Sequence, residues 1–154
     1  MSVERHKELI YTYFASFFEG SVDIYDRLLH ASFYVCHLRD RGKPVSAERQ
    51  GPVSFKRGIP AFRAAFPDGS IIVEDIVVEG DCAIACWHFQ GIQQGEFLGV
   101  APTGKQITYM GVNGFRIQNQ QLMESWDMQD SLSLFQQLGL LPATDVILAV
   151  QNRR

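Results

Sequence analysis

Apolar residues recur at spacings of three and four early in the chain and at every second position later on. Leu9, Ile10, Tyr13, Phe14, Phe17 and Phe18 form one broad stripe, which predicts an amphipathic helix over residues 3–19 that Gly20 ends. A short second helix is expected over 22–29 with Ser21 as its cap, followed by an aromatic-rich strand over 32–38. Residues 39–50 are polar and hold Gly42 and Pro44, so they read as a loop. A third helix is expected over 51–66, with Phe55, Ile59, Phe62 and Phe66 on one face and Pro52 in its first turn. Pro60 falls inside that pattern and must kink or restart the helix.

After the turn Pro67-Asp68-Gly69 the pattern becomes that of strands, at 70–79, 82–92, 105–118 and 121–130. Gly80-Asp81 and Asn119-Gln120 serve as tight turns between them. A helical segment over 131–138 is stopped by Gly139, and an apolar tail follows with Val146, Ile147, Leu148 and Val150. Helices first and hairpin-linked strands afterwards predict an α+β domain.

The chain has 154 residues, so one domain is expected, and 46% apolar and 12% aromatic residues are enough to fill a core. A net charge of −3 with scattered Lys and Arg argues against nucleic acid as a partner and against a polybasic membrane patch. Residues 1–8 carry mixed charge without an apolar stretch, and no run approaches the roughly 20 apolar residues of a membrane span. A soluble, cytoplasmic protein is therefore the expectation. Cys36, Cys82 and Cys86 lack metal-ligand spacing and read as reduced, buried thiols. Dinucleotide, P-loop and nucleophile-elbow motifs are absent, so any catalysis is expected to need neither cofactor nor metal.

Candidate chemistry centres on the strand ending at Asp130. By alternation Leu122, Glu124, Trp126, Met128 and Asp130 share one face, and Gln121, Met123, Ser125, Asp127 and Gln129 share the other. Trp126 and Met128 make the Asp130 face the more apolar, and a carboxylate there would be desolvated and suited to proton transfer near neutral pH. The competing role for Asp130 is to cap the helix that opens at Ser131. The residues alone leave both roles open. His88, in Cys86-Trp87-His88-Phe89, is either a hydrogen-bonded structural histidine or a group facing a pocket. His6 and His30 read as surface helix residues. Arg116 and Glu124 are expected to pair across strands.

Phe66-Pro67-Asp68, Gly95-Glu96-Phe97-Leu98-Gly99, Pro102-Thr103-Gly104-Lys105, Phe115-Arg116-Ile117, Trp126-Asp127-Met128-Gln129-Asp130 and Gln137-Leu138-Gly139 occur in that order. This series resembles the SnoaL-like polyketide cyclase family, of the nuclear transport factor 2-like fold, over about residues 3–140. The resemblance implies a cone-shaped α+β barrel, in which a strongly curved mixed sheet wraps a pocket and about three N-terminal helices close it. It also implies a homodimer joined through the open faces of the two sheets, to which the apolar tail could contribute. In the family the acid of the Trp-x-x-x-Asp motif moves a proton, which favours the catalytic role for Asp130 and brings in His37 as its partner. Two positions depart from the family pattern: Gln93 and Asn113 stand where histidines are common, and neither titrates.

The function so implied is cofactor-independent acid/base catalysis on a small apolar carbonyl compound, by intramolecular aldol cyclisation or isomerisation. Asp130 would take the proton, while His37 and Asn113 would hold the oxygen. Tyr34, Trp87, Tyr109 and Trp126, with Gln93 and His88, would bind the substrate. The alternatives are hydrolysis or dehydration in the same pocket, as in epoxide hydrolases of the fold, and a non-catalytic ligand-binding or dimerisation module.

Overall fold

The computed structural model describes residues 2–36 and 50–151. His37 and almost all of the expected loop at 39–50 therefore lie outside the described residues. The first helix, α1 (Val3–Ala15), opens on Ser2, whose hydroxyl accepts from the Arg5 amide, and it buries His6, Ile10, Tyr13 and Phe14. It ends four residues earlier than the apolar stripe suggests. His6, expected at the surface, is buried beneath it.

A single 3-10 turn (Val22–Ile24) and the short α2 (Tyr25–Leu28) lead directly into strand β1 (Leu29–Cys36). The strand thus starts earlier than expected, and His30 lies on it. The expected third helix is two helices, α3 (Gly51–Lys56) and α4 (Ile59–Ala65), with Pro60 in the first turn of the second. Pro60 lacks an N–H and cannot continue α3, so the restart follows from its covalent structure.

Arg63 on α4 links the helical layer together. Its guanidinium donates to the carbonyls of Phe17 at 2.7 Å, Ser16 at 2.8 Å, Gly20 at 3.0 Å and Glu19 at 3.3 Å. These carbonyls follow the end of α1, where no helical partner exists for them. A charged side chain from another helix supplies the donors.

Strands β2 (Ser70–Glu79), β3 (Cys82–Ile92), β4 (Gln106–Gln118) and β5 (Gln121–Gln129) form antiparallel neighbours. With β1 parallel to β5, the sheet order is β1-β5-β4-β3-β2. Odd-numbered residues of β3 and β4 face inward under the helices, where Phe89, Ile107, Phe115 and Ile117 are buried. Tyr13 meets Phe14, Tyr25, Phe55 and Phe115, Phe14 meets Phe115, and Tyr25 meets Phe55, edge-on or tilted, with centroids 5.0–5.9 Å apart. A second aromatic group joins Phe18, Phe62, Phe66, Phe89 and Phe97.

The final elements are α5 (Ser131–Gln137) and α6 (Thr144–Gln151). Gln137 holds α5 to the sheet by donating to the Thr108 carbonyl at 2.8 Å and accepting from the Thr108 amide at 2.9 Å. The apolar tail is the helix α6, and its Val146, Ile147 and Leu148 remain exposed.

The outer face of the sheet is apolar at its centre. Met110 and Met128 are 63% and 69% exposed, and Ile72, Ile84 and Val112 lie on the same face. Cys86 is exposed among them, contrary to the expectation of buried thiols. Arg116 lies opposite Glu124 as expected, but its closest ion pair is with Asp81 at 3.4 Å. Among the described residues, no helix is long and apolar enough to cross a membrane.

Replacing Arg63 by Met should remove the shared donor and destabilise the fold by about 1.5–3 kcal/mol, the range for hydrogen bonds to a charged group. Lys should rescue only in part because it lacks the planar fork. Urea unfolding of the two variants measures both effects.

Burial raises the phenol pKa of Tyr13, Tyr25 and Tyr109 above the usual tyrosine range. Above the ordinary phenol pKa of about 10, the unfolded chain sheds protons that the folded chain keeps. Stability should therefore be unaffected by these groups below that pH and fall as pH rises through it. A urea midpoint that stays constant from about pH 9 to about pH 11 would contradict this linkage.

Candidate active site

A cavity of about 320 Å³ lies between the inner face of the sheet and the helices. This is the lower end of the size range of small-molecule pockets. Tyr13, Phe14 and Phe17 of the α1 region and Phe55 and Phe62 of α3 and α4 form its helical wall. Val35, Ile71, Trp87 and Tyr109 line the sheet side, and Asn113, Asp127 and Gln129 add polar groups. A wider, more open polar groove borders Arg5, His6, Asp81 and Arg116 near the start of α1. The apolar cavity with a carboxylate in its wall is the better setting for acid/base chemistry.

The Trp87 indole occupies space left by Gly111, its direct partner across the β3–β4 ladder. A Cβ on Gly111 would lie 2.3 Å from Trp87 Cζ2, so the missing side chain lets the ring lie against the strand. From there Trp87 Nε1–H donates to Asn113 Oδ1 at 2.7 Å, and Asn113 Nδ2–H donates to Ser125 Oγ at 2.9 Å. Tyr13 lines the same cavity as Asp127, close enough for that charge to act on its phenol. Burial first, and then the neighbouring Tyr25 phenol and the Asp127 carboxylate, hold the Tyr13 phenol well above its ordinary range. It is a protonated donor across the physiological range.

Asp127 was missed because Trp126 and Met128 make the opposite face of β5 the more apolar one, yet both are exposed on the outer side of the sheet. Pairing of β4 with β5 is irregular between Arg116 and Ile117, opposite the start of β5. Leu122 is buried on one side of the irregularity and Ser125 on the other, so a single alternating count cannot describe the strand. Beyond it, Asp127 lies directly across from Asn113, and its Oδ1 is buried. The alternation of β4, whose inward positions include Asn113, is the signal that could have found it.

Of the residues proposed from sequence, Trp87, Tyr109 and Asn113 come together in the cavity wall. Asp130 does not: it is exposed, and Oδ1 accepts from the Ser133 amide at 3.0 Å as the cap of α5. Trp126 lies on the outer face, 37% exposed, with Arg116 5.9 Å above its ring. Tyr34 is also on that face, opposite Glu124. Partial burial and then Glu124 raise its phenol pKa. His88 points outward as well, where Nδ1 bonds the Glu74 carboxylate. In each case a partner on the solvent side of the sheet replaces the expected pocket contact.

Gln93 is fully buried yet lies outside the cavity wall. Nε2 donates to the carbonyls of Val100 at 3.1 Å and of Gly95 and Ala101 at 3.3 Å. Oε1 accepts from Thr103 Oγ1 at 2.7 Å and from the Thr103 amide at 3.3 Å. Its role is to hold the loop that carries the Gly-Glu-Phe-Leu-Gly and Pro-Thr-Gly-Lys motifs, rather than to bind substrate. Gly99 and Gly104 adopt positive φ in that loop, as expected of them.

Solved structures with the same fold include TsrD from Streptomyces laurentii, 28% identical over 92% of this chain and 99% of that one, with a TM-score of 0.77. AclR from Streptomyces galilaeus, provisionally a hydroxylase, is 23% identical over 99% of this chain and 92% of its own, with a TM-score of 0.80. A provisional polyketide cyclase from Acidithiobacillus ferrooxidans is 25% identical over 91% of this chain and 99% of that one, with a TM-score of 0.75. None of the curated proteins matches the chain. The family model of the SnoaL-like polyketide cyclases matches residues 8–138, which takes in the cavity, its aromatic walls and the strand that carries Asp127. The chain belongs to the SnoaL-like polyketide cyclase family.

Proposed function

We propose that this protein is an acid/base enzyme acting, without a cofactor, on a compact carbonyl compound held in the cavity, with Asp127 as the proton carrier. The observation that carries this reading is the position of Asp127: a carboxylate with a buried oxygen in an otherwise largely aromatic wall, across the strand from Asn113. A carboxylate so placed can remove a proton from the carbon beside a carbonyl and return it elsewhere. The flat walls of Trp87, Tyr109 and Phe14 favour a planar, conjugated substrate folded for intramolecular carbon–carbon bond formation or isomerisation. In that step the enzyme supplies mainly position and one proton shuttle.

Exchange of the acidic carbon-bound protons of a cyclic 1,3-diketone with D2O, followed by NMR, tests this without the natural substrate. Asp127→Asn should slow the catalysed exchange by about 10²-fold or more. Asp130→Ala should leave the exchange rate intact and cost about 1 kcal/mol of stability through the lost helix cap. Loss of exchange in the Asp130 variant with retention in the Asp127 variant would overturn the assignment.

The protein is further proposed to act as a homodimer, with the outer face of the sheet covered by a second copy. The outward rows Ile72–His88–Met110 and Cys86–Val112–Met128 each cross three strands, and all of their residues but the half-buried His88 are exposed. A contiguous apolar surface of this kind marks an association site, and a two-fold axis lets one patch cover itself. Light scattering should give a dimeric mass for the full chain and a monomeric mass for Met128→Glu. A monomeric full-length chain would sink the proposal.

A further inference from the structure

Trp87 and Gly111 face one another across the middle of the β3–β4 ladder, and both are buried under the helices. A Cβ on Gly111 would meet three indole atoms, Cζ2 at 2.3 Å and Cε2 and Cη2 at 2.7 Å. The outer half of the indole thus fills the space that a side chain at 111 would take. The backbone at Gly111 does not have a positive φ, so any residue could adopt it. The indole, and not the chain's path, demands the glycine. Tyr109 meets the same ring edge-on with centroids 5.9 Å apart, and Phe14 meets it at 6.0 Å. Its N–H donates to Asn113 Oδ1 at 2.7 Å, and Asn113 is oriented in turn by donating to the buried Ser125 Oγ at 2.9 Å. An indole nitrogen can only donate, and Trp87 and Asn113 are both buried. Turning the ring away would leave a buried donor and a buried acceptor unmatched, a larger loss than that of one exposed hydrogen bond. The ring is therefore a wall with one position, and it lines the cavity directly.

Resting on the reading of this cavity as the substrate site, we infer that Trp87 sets the size of substrate the protein admits, with Gly111 giving the indole its seat against the sheet and Asn113 latching it there. Seated on a residue with a side chain, the indole would be pushed inward and the cavity of about 320 Å³ would shrink. A smaller ring at 87 would extend the cavity toward β4 instead. The volume is already at the lower end for small-molecule sites, so a change of a few atoms at its wall is a large fraction of the room a ligand has. The substrate class is accordingly a compact, flat compound, selected by its length against a wall that does not yield. Asn113 is a positioning residue here: Oδ1 and one N–H are committed behind the wall, and it acts on the ligand through the indole. Gly111 acts in the same indirect way.

The test compares binding of 2-naphthol with that of the longer 2-hydroxyanthracene, both fluorescent, and needs no turnover. Trp87→Phe should raise affinity for the longer compound relative to the shorter by about tenfold, the scale on which an apolar pocket tells small size differences apart. Gly111→Ala should weaken both, the longer one more. The two changes together should bring the ratio back toward the wild-type value, because a Phe ring lacks the outer atoms that the new methyl would strike. Such non-additivity is the mark of residues in contact. In Asn113→Leu the Trp87 Nε1–H, assigned by its loss in Trp87→Phe, should exchange with D2O faster than in the wild-type chain, and the size ratio should narrow. An unchanged ratio in Trp87→Phe, or no binding of either compound by the wild-type chain, overturns the inference. Additive effects in the double variant overturn the role of Gly111, and equal N–H exchange with an unchanged ratio in Asn113→Leu overturns that of Asn113. If Gly111→Ala is poorly folded, the ratio in Trp87→Phe decides alone. Loss of diketone exchange in Asp127→Asn with an unchanged size ratio in Trp87→Phe removes this inference and leaves the proposed function standing. Retained exchange in Asp127→Asn with a shifted ratio in Trp87→Phe does the reverse.

Discussion

The uninterrupted antiparallel ladder between β3 and β4 is the constraint on which the rest depends. It runs from Cys82 opposite Arg116 to Ile92 opposite Gln106 without a bulge. Because side chains alternate strictly along each strand, a slip of one residue would send every inward group to solvent. The ladder therefore decides at once that Trp87, Phe89, Tyr109 and Asn113 face the helices. It also decides that Ile84, Cys86, Met110 and Val112 do not. The helices α1 and α4 follow from this, since their aromatic stripes have one apolar surface to cover.

The interior combines a dense aromatic shell with a narrow line of polar groups. Such a line is costly in a dry setting unless each donor and acceptor is matched. Trp87, Asn113 and Ser125 are joined in this way, by two hydrogen bonds running in one direction. Tyr25 is matched separately, its hydroxyl donating to the Tyr13 carbonyl at 2.6 Å and fixing the backbone from which Tyr13 projects. The helical layer is held by charge-assisted bonds of Arg63, and α5 by the amide of Gln137. Polar side chains thus fasten the elements to one another, while the aromatic rings fill the space between them.

The fold was legible in the sequence because its signals are local. Period two is clean along β3 and β4, Pro60 breaks α3 from α4, and Gly99 and Gly104 take the turns expected of them. The site was only partly legible. Trp87, Tyr109 and Asn113 lie on strands of regular register and were read correctly as wall residues. Asp127 and Asp130 lie on opposite faces of the same strand end, and the exposed Trp126 and Met128 made the outer face look like the inner one, because an irregularity in the β4–β5 pairing also puts Leu122 in the core. His88 and Tyr34 were drawn to the pocket by residue type, although Glu74 and Glu124 provide for them on the other face. Gln93 looked like a substitute for a titrating group because a linear sequence does not show that its amide closes a loop.

The Gln93 amide makes most of its contacts with main-chain atoms, and the one side chain it bonds, Thr103, is within the same loop. A brace that grips carbonyls is blind to the identity of the residues that bear them. The exposed Ala101 could therefore change its side chain without loosening that brace, whereas Phe97, packed on Phe62 and Phe66, and Gly99, at positive φ, are each held to their residue type by a separate demand.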